Sequence, residues 1–273
     1  MYKCGVVTDF ISGPPARDGE GARLPGSVEF LGAPMHPWTM TQTVDEIRRR
    51  VSDDCFTQHV VVNVAKIVSM REDPSLRDAV RQCDIINVDG MVVVWGARFL
   101  GYSVPERVAG IDLFHALLEM SASEDYGVFF LGAKPAVLDK AVENAVAQNP
   151  GLRVVGRHHG YFEDGSAEER RIVEAIGDSG AKLLFVGISS PKKELFIERN
   201  RERLGVCFVM GVGGTFDVVA GKVQRAPVWM QSAGLEWLFR LLQEPRRMWR
   251  RYLGTNLRFA WLLMRARVSS NNL

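Results

Sequence analysis

Short runs of β-branched and aromatic residues recur along this chain, and several are followed by an amphipathic stretch of helical length. The runs are "HVVVNV" (59–64), "DIINV" (84–88), "YGVFFLG" (126–132), "LRVVG" (152–156), "AKLLFVG" (181–187) and "VCFVMG" (206–211). They are apolar at nearly every position, as strands covered on both faces must be. Between them, "PAVLDKAVENAVAQN" (135–149) spaces Leu138, Ala141, Val142, Ala145 and Val146 three and four apart. A second segment, "SAEERRIVEAIGDSG" (166–180), opens on an acidic turn and closes at Gly180, the charge order a helix dipole favours. Repeated β-then-α units predict an α/β domain with a Rossmann-like, mainly parallel sheet flanked by helices.

Such sheets bind ligands at the carboxyl ends of their strands, where loops converge on helix N-termini with free N–H groups. Three predicted strands end in glycine just before a helix start: at Gly132, at Gly187, and at Gly211 with Gly213 and Gly214. Glycine lets a backbone approach a phosphate closely, so a nucleotide diphosphate is the expected ligand. The competing reading is that these glycines only terminate strands.

Other residues carry candidate chemistry. In "DIINVDGMVVVWGARFLG" a strand runs into Asp89-Gly90 and then an apolar helix, which places a carboxylate on a tight turn where it can act as a general base. Capping of helix 91–100 is the alternative role. "SVPERVAGID" sets Arg107 in a loop where its planar fork can hold a phosphate, or where it is simply solvated, and leaves Asp112 to cap the next helix. Asn63, at a strand end, can bind a sugar hydroxyl or its own backbone. "HHGYF" (158–162) matches no metal-site spacing, and adjacent histidines in extended chain point to opposite faces. No two aspartates stand two apart, so the Asp-x-Asp pair that holds a divalent ion in many sugar transferases is missing. Cys4, Cys55, Cys83 and Cys207 form no CxxC pair and read as buried thiols. No metal and no cofactor is expected.

The formal net charge of +2 hides an asymmetry. From Arg225 to Arg267 nine arginines face only Glu236 and Glu244, which leaves residues 1–224 at −5. An acidic body with a basic tail calls for an anionic partner at the tail. On a helical wheel Arg247, Arg251, Arg258 and Arg265 share one face, while Trp249, Leu253, Leu257 and Trp261 follow another with Met248, Tyr252 and Phe259 beside them. That pattern fits a helix lying in the interface of an anionic membrane. The alternative is a helix packed on the body with solvated arginines. Nucleic acid is not expected, because the basic residues are interleaved with a wide apolar face. No apolar stretch reaches the roughly 20 residues of a spanning helix, and the N-terminus lacks a signal-peptide core. An intracellular protein is expected, with residues 1–27 a flexible extension, 28–224 the α/β domain and 225–273 a basic, amphipathic helical appendage.

Asn63, "VDGMVVVWGARFLG", "PERVAGIDLF", "FFLGAKP", "HHGYF", "LLFVGISSPKKE", "GVGGTFDVVAGKVQRAP" and "GLEWLFRLLQEPRRMWRRYL" together resemble the WecG/TagA/CpsF family of bacterial glycosyltransferases over roughly residues 29–258. The resemblance implies inverting, metal-independent transfer from a UDP-sugar to a polyprenyl-diphosphate-linked saccharide at the cytoplasmic face of the membrane. Donors in the family include UDP-N-acetylmannosamine, its uronic acid and UDP-glucose, and its products include teichoic acid linkage units and exopolysaccharide. It also implies Asp89 as the base, Arg107 as a diphosphate ligand, Asp217 as the uracil contact, and Gly132, Gly187 and Gly213 as the nucleotide cleft. Arg240, Arg247 and Arg250 resemble the tail arginines that bind diphosphate. Two positions depart from the family pattern: Val61 stands where a threonine is common, and Lys193 replaces a donor-site glutamine, which suits an acidic or altered sugar. A nucleotide-dependent oxidoreductase is the alternative class, although "GVGGTF" is not GxGxxG and lacks the acidic residue about 20 positions on. Open sheet edges also allow self-association.

Overall fold

A computed structural model of the chain describes residues 24–270, except for the side chains at 232, 247, 248, 250–253 and 270. Cys4 and most of the glycine- and proline-rich segment lie outside the described residues. In chain order the elements are β1 (Val28–Phe30), β2 (Ala33–Met35), α1 (Met40–Ser52), β3 (Thr57–Val62), α2 (Val64–Glu72), α3 (Pro74–Arg81), β4 (Ile85–Val88) and α4 (Met91–Phe99). There follow α5 (Gly110–Ser123), β5 (Gly127–Gly132), α6 (Pro135–Gln148), β6 (Arg153–His158), α7 (Ala167–Asp178), β7 (Leu183–Gly187), α8 (Lys192–Asn200) and β8 (Phe208–Gly211). The chain continues through α9 (Thr215–Val219), α10 (Val228–Ser232), α11 (Glu236–Gln243) and α12 (Pro245–Ser270).

Six strands form one all-parallel sheet in the order β4-β3-β8-β7-β5-β6, and helices flank it, so the fold is Rossmann-like. The period of two within each strand explains the continuous apolar runs. Val128, Phe130, Leu183, Phe185, Phe208 and Met210 point into one core layer under α5, α6 and α9. Their neighbours Phe129, Leu131, Leu184, Val186 and Val209 point to the opposite layer under α7 and α8. Both faces of the central strands are covered, so their positions are apolar almost throughout.

His59 is a polar exception on β3, bonded through one ring nitrogen while its Nδ1 is buried with no partner among the described residues. It is 1% exposed on β3, its Nε2 meets Asn87 Oδ1 at 2.9 Å, and Asn87 Nδ2 donates to Thr43 Oγ1 at 3.0 Å. His36 closes the β4 edge of the sheet: its N–H donates to Ile86 O at 2.7 Å, and its Nδ1 accepts from Ile86 N–H at 3.0 Å. Burial holds both imidazoles at about 4, well below the ordinary 6.5. The unfolded chain therefore binds more protons between pH 6.5 and about 4, so this contribution is whole above 6.5 and is lost as pH falls through that window. Each histidine contributes about 3 kcal/mol at most. The thermal midpoint is expected to fall steadily over that range, and His59→Gln to flatten the slope. An unchanged slope would contradict the assignment.

The C-terminal helix packs on the body and leaves its opposite side open. Phe259 is 2% exposed and Leu262 7%, and a Cβ at Gly96 of α4 would lie 3.1 Å from Phe259 and Leu263. Phe30 and Phe259 meet edge to face with centroids 6.2 Å apart. Phe259 thus belongs to the packing face of α12, not to the exposed apolar face the wheel placed it beside. At 3.6 residues per turn, Leu257, Trp261, Met264 and Val268 lie on the far side, and all are more than half exposed. Of the basic stripe, Arg258 pairs with Glu72 of α2 and Arg265 stacks over Trp261. Among the described residues no helix is long and apolar enough to cross a membrane.

Candidate active site

Parallel strands put all six carboxyl ends on one side, and two adjoining groups of loops there form pockets. The first lies beyond β3 and β4. Asp89 follows β4 directly, with its N–H donated to Val62 O at 2.8 Å, and Gly90 takes φ +112°, a conformation that only glycine adopts readily, to turn the chain into α4. Gly90 occupies the cap position, so the Asp89 side chain does not cap α4. Instead it lines the pocket with Asn63, Arg107, Glu236, Trp237, Arg240, Thr255 and Asn256. Burial, the largest effect, pushes its carboxyl above the usual range, against the pull of Arg107 and Arg240.

Arg107 reaches this pocket because its loop is tied down on both sides. Val108 N–H donates to Val88 O at 2.9 Å, and Arg98 of α4 holds Val104 O at 3.0 Å and Pro105 O at 2.7 Å. The guanidinium pairs with Glu236 of α11 and lies 3.9 Å from Asp112. Asp112 does not cap α5 as expected. It sits in the first turn, the cap is Ala109, and its carboxylate takes Arg225 through two contacts of 2.6 and 2.8 Å. Asn63 takes the backbone role: it caps α2, its Oδ1 accepting from Lys66 N–H at 3.0 Å, while its residue still borders the pocket.

The second pocket opens at the ends of β5 and β7 and is lined by Gly187, Asp217, Gly160, Tyr161, Ser189 and Lys192. Of the three glycines expected to form a nucleotide cleft, Gly187 lines this pocket, whereas Gly132 and Gly213 are not among its lining residues. A Cβ on Gly132, which has φ +138°, would lie 2.5 Å from the Gly187 carbonyl, and one on Gly187 would lie 2.4 Å from the Phe216 ring. Gly132→Ala is expected to destabilise the protein by more than about 2 kcal/mol, read as a lower denaturant midpoint, because backbone cannot retreat as a side chain can. Gly213, at φ +53°, has open space around it. Asp217, in the first turn of α9, pairs with Lys222 at 2.8 Å.

Lys193 joins neither pocket wall. It is buried across Gly211, its Nζ sits 2.5 Å from Glu194 Oε1, and Lys66 reaches the same oxygen at 2.8 Å. Burial, with the Lys66 charge, brings its amine down to about 8. The charge expected to favour an acidic sugar is balanced inside the protein by Glu194. Arg240 lines the first pocket, whereas the side chains of Arg247 and Arg250 lie outside the described ones.

The two histidines do not point apart. β6 ends at His158, whose Nδ1 lies 2.8 Å from His159 O, and the two ring centroids are 4.3 Å apart. With exposed Glu168 they place ligand atoms within 4.8 Å of one another, a set of donors that can take a transition-metal ion. Glu236, Trp237, Thr255 and Asn256 were not singled out from sequence. They reach Asp89 from more than a hundred residues away, and only the "GLEWLFR" segment hinted at the first two.

A Rossmann-like sheet with pockets at its strand ends has the arrangement in which such sheets bind their ligands. The family model described as "Glycosyl transferase WecG/TagA/CpsF family" matches residues 28–273. The chain belongs to that family and is a glycosyltransferase, which implies a nucleotide-sugar donor and a glycan acceptor.

Proposed function

We propose that the protein is an inverting, metal-independent transferase that moves a sugar from a UDP-sugar to a polyprenyl-diphosphate-linked saccharide in cell-surface polysaccharide synthesis. The donor is of the N-acetylmannosamine, N-acetylmannosaminuronic acid or glucose type. The observation that carries the reading is the partly buried Asp89 carboxylate, which lines a pocket at the strand ends with Arg107 and Arg240. The UDP moiety takes the Gly187–Asp217 cleft, with the uracil near Asp217. The acceptor hydroxyl attacks the anomeric carbon and its proton passes to Asp89. The bond from that carbon to the β-phosphate oxygen breaks, and UDP leaves with the electron pair. Arg107 and Arg240 stabilise phosphate charge by charge-assisted hydrogen bonds, and Arg247 and Arg250 act with them on the acceptor.

In this reading residues 28–224 are the catalytic domain and 225–273 bring it to an anionic membrane surface on the cytoplasmic side. The exposed Trp261, Leu257 and Met264 enter the interface while neighbouring arginines meet lipid phosphates. The test is a panel of UDP-sugars with a lipid-diphosphate sugar acceptor, followed by product analysis and UDP and NAD titrations. Sugar transfer with inversion, together with UDP binding and no NAD binding, is expected. Retention of configuration, or NAD binding without UDP binding, would refute it.

A further inference from the structure

Asp89 faces Arg107 and Arg240, yet its carboxylate makes no hydrogen bond or ion pair among the described residues. An aspartate beside two arginines ordinarily pairs with one of them, and a paired carboxylate is a weak proton acceptor. What occupies Arg107 is visible across the pocket. Arg107, only 13% exposed, gives its guanidinium to Glu236, 129 residues further on, and its other end approaches Asp112. Arg225 closes the group by pairing with Asp112 and approaching Glu236 Oε1 at 3.5 Å. Arg107 and Arg225 are thus matched by Glu236 and Asp112, while Arg240, the other arginine of the pocket wall, makes no ion pair among the described residues.

We infer that Glu236 is a positioning residue for the transfer reaction: by occupying Arg107 it keeps Asp89 unpaired and available to accept the acceptor's proton. The inference rests on the reading of Asp89 as the base. It also gives α11 a part in the chemistry beyond any contact with lipid, because the base is fully set only when that helix is docked. The charged groups facing Asp89 are Arg107 from the loop before α5, Asp112 from α5, and Glu236 and Arg240 from α11. Burial raises the Asp89 carboxyl first, the arginines lower it, and Glu236 and Asp112 raise it again. Removing the Glu236 charge releases Arg107 towards Asp89, and both changes act in the same direction.

The experiment compares pH–rate profiles of the full-length wild type, Glu236→Gln, Glu236→Asp and Asp89→Asn. Glu236→Gln is expected to lower kcat by about tenfold while the donor KM does not rise, and to move the acid limb to lower pH. Glu236→Asp keeps the charge but shortens its reach, and is expected to do the same to a smaller extent. If Glu236→Gln does not fold, the Glu236→Asp profile decides the question. Adding Arg107→Gln to Glu236→Gln is expected to return the acid limb towards higher pH, since Arg107 is then no longer there to capture Asp89 and only Arg240 still faces it. An unmoved acid limb in the glutamate variants, or a loss confined to KM, would overturn the inference. Asp89→Asn separates the two ideas. If it keeps both activity and acid limb, the base assignment fails; if it is inactive while the glutamate variants keep the wild-type limb, only the role of Glu236 fails.

Discussion

Asp89→Asn is expected to lower acceptor-dependent turnover by roughly 10²–10⁴-fold, the range over which a positioned general base contributes. The fold is expected to survive. The side chain has no bond among the described residues to lose, it is only partly buried, and an amide has the same shape as the carboxylate. A normal thermal midpoint with near-zero turnover would therefore locate the defect in proton transfer. In the wild type the same environment predicts an acid limb above the usual aspartate range, since the carboxyl must lose its proton before it can accept another. An Asp89→Asn enzyme with more than a tenth of wild-type turnover would remove Asp89 from the reaction.

The second large effect is expected from the exposed side of α12. Leu257→Glu with Trp261→Glu alters two side chains that are 63% and 58% exposed and lie opposite the packing face of Phe259 and Leu262. The body should be untouched, with UDP affinity and melting temperature at wild-type values. Binding to vesicles containing anionic lipid is expected to fall at least about tenfold, a loss of about 1.4 kcal/mol, with activity on a lipid-linked acceptor falling alongside. A short water-soluble acceptor should be used nearly as well as before. Unchanged vesicle binding would assign the exposed aromatic side to some other contact. Full truncation after Gly234 is a less selective variant, because it also removes Glu236, Trp237 and Arg240 from the pocket and uncovers the surface around Phe30 and Gly96.

What could be read from sequence was what is local. The apolar runs became β3 to β8 within a few residues at each end, because covering both faces of a parallel sheet leaves a continuous signal in composition. Gly132 and Gly187 stood out as glycines that close strands, and the fold gives each a steric reason that sequence did not show, the Gly187 carbonyl against Gly132 and the Phe216 ring against Gly187. The β1–β2 hairpin, three residues to a strand, is too short to carry a period. Phe259 and Trp261 look alike on a wheel drawn without a neighbour, and only the hollow at Gly96 decides which faces inward. The contact of the His158 and His159 rings, with centroids 4.3 Å apart, is likewise not legible in residue type. The ion pairs that govern the site join Arg107 to Glu236 and Asp112 to Arg225, each over a separation greater than 100 residues. Long-range charge pairing leaves no pattern in composition. Lys193 shows the converse, a charge conspicuous in sequence that the fold matches with Glu194 away from both pockets.

The most direct test of the account is the rate of UDP release by the purified full-length protein, measured with each UDP-sugar in the presence and absence of a polyprenyl-diphosphate-linked sugar. Release from one donor that depends on the acceptor, and that Asp89→Asn loses, is the predicted result. Release at the same rate without the acceptor, or undiminished in Asp89→Asn, would contradict it.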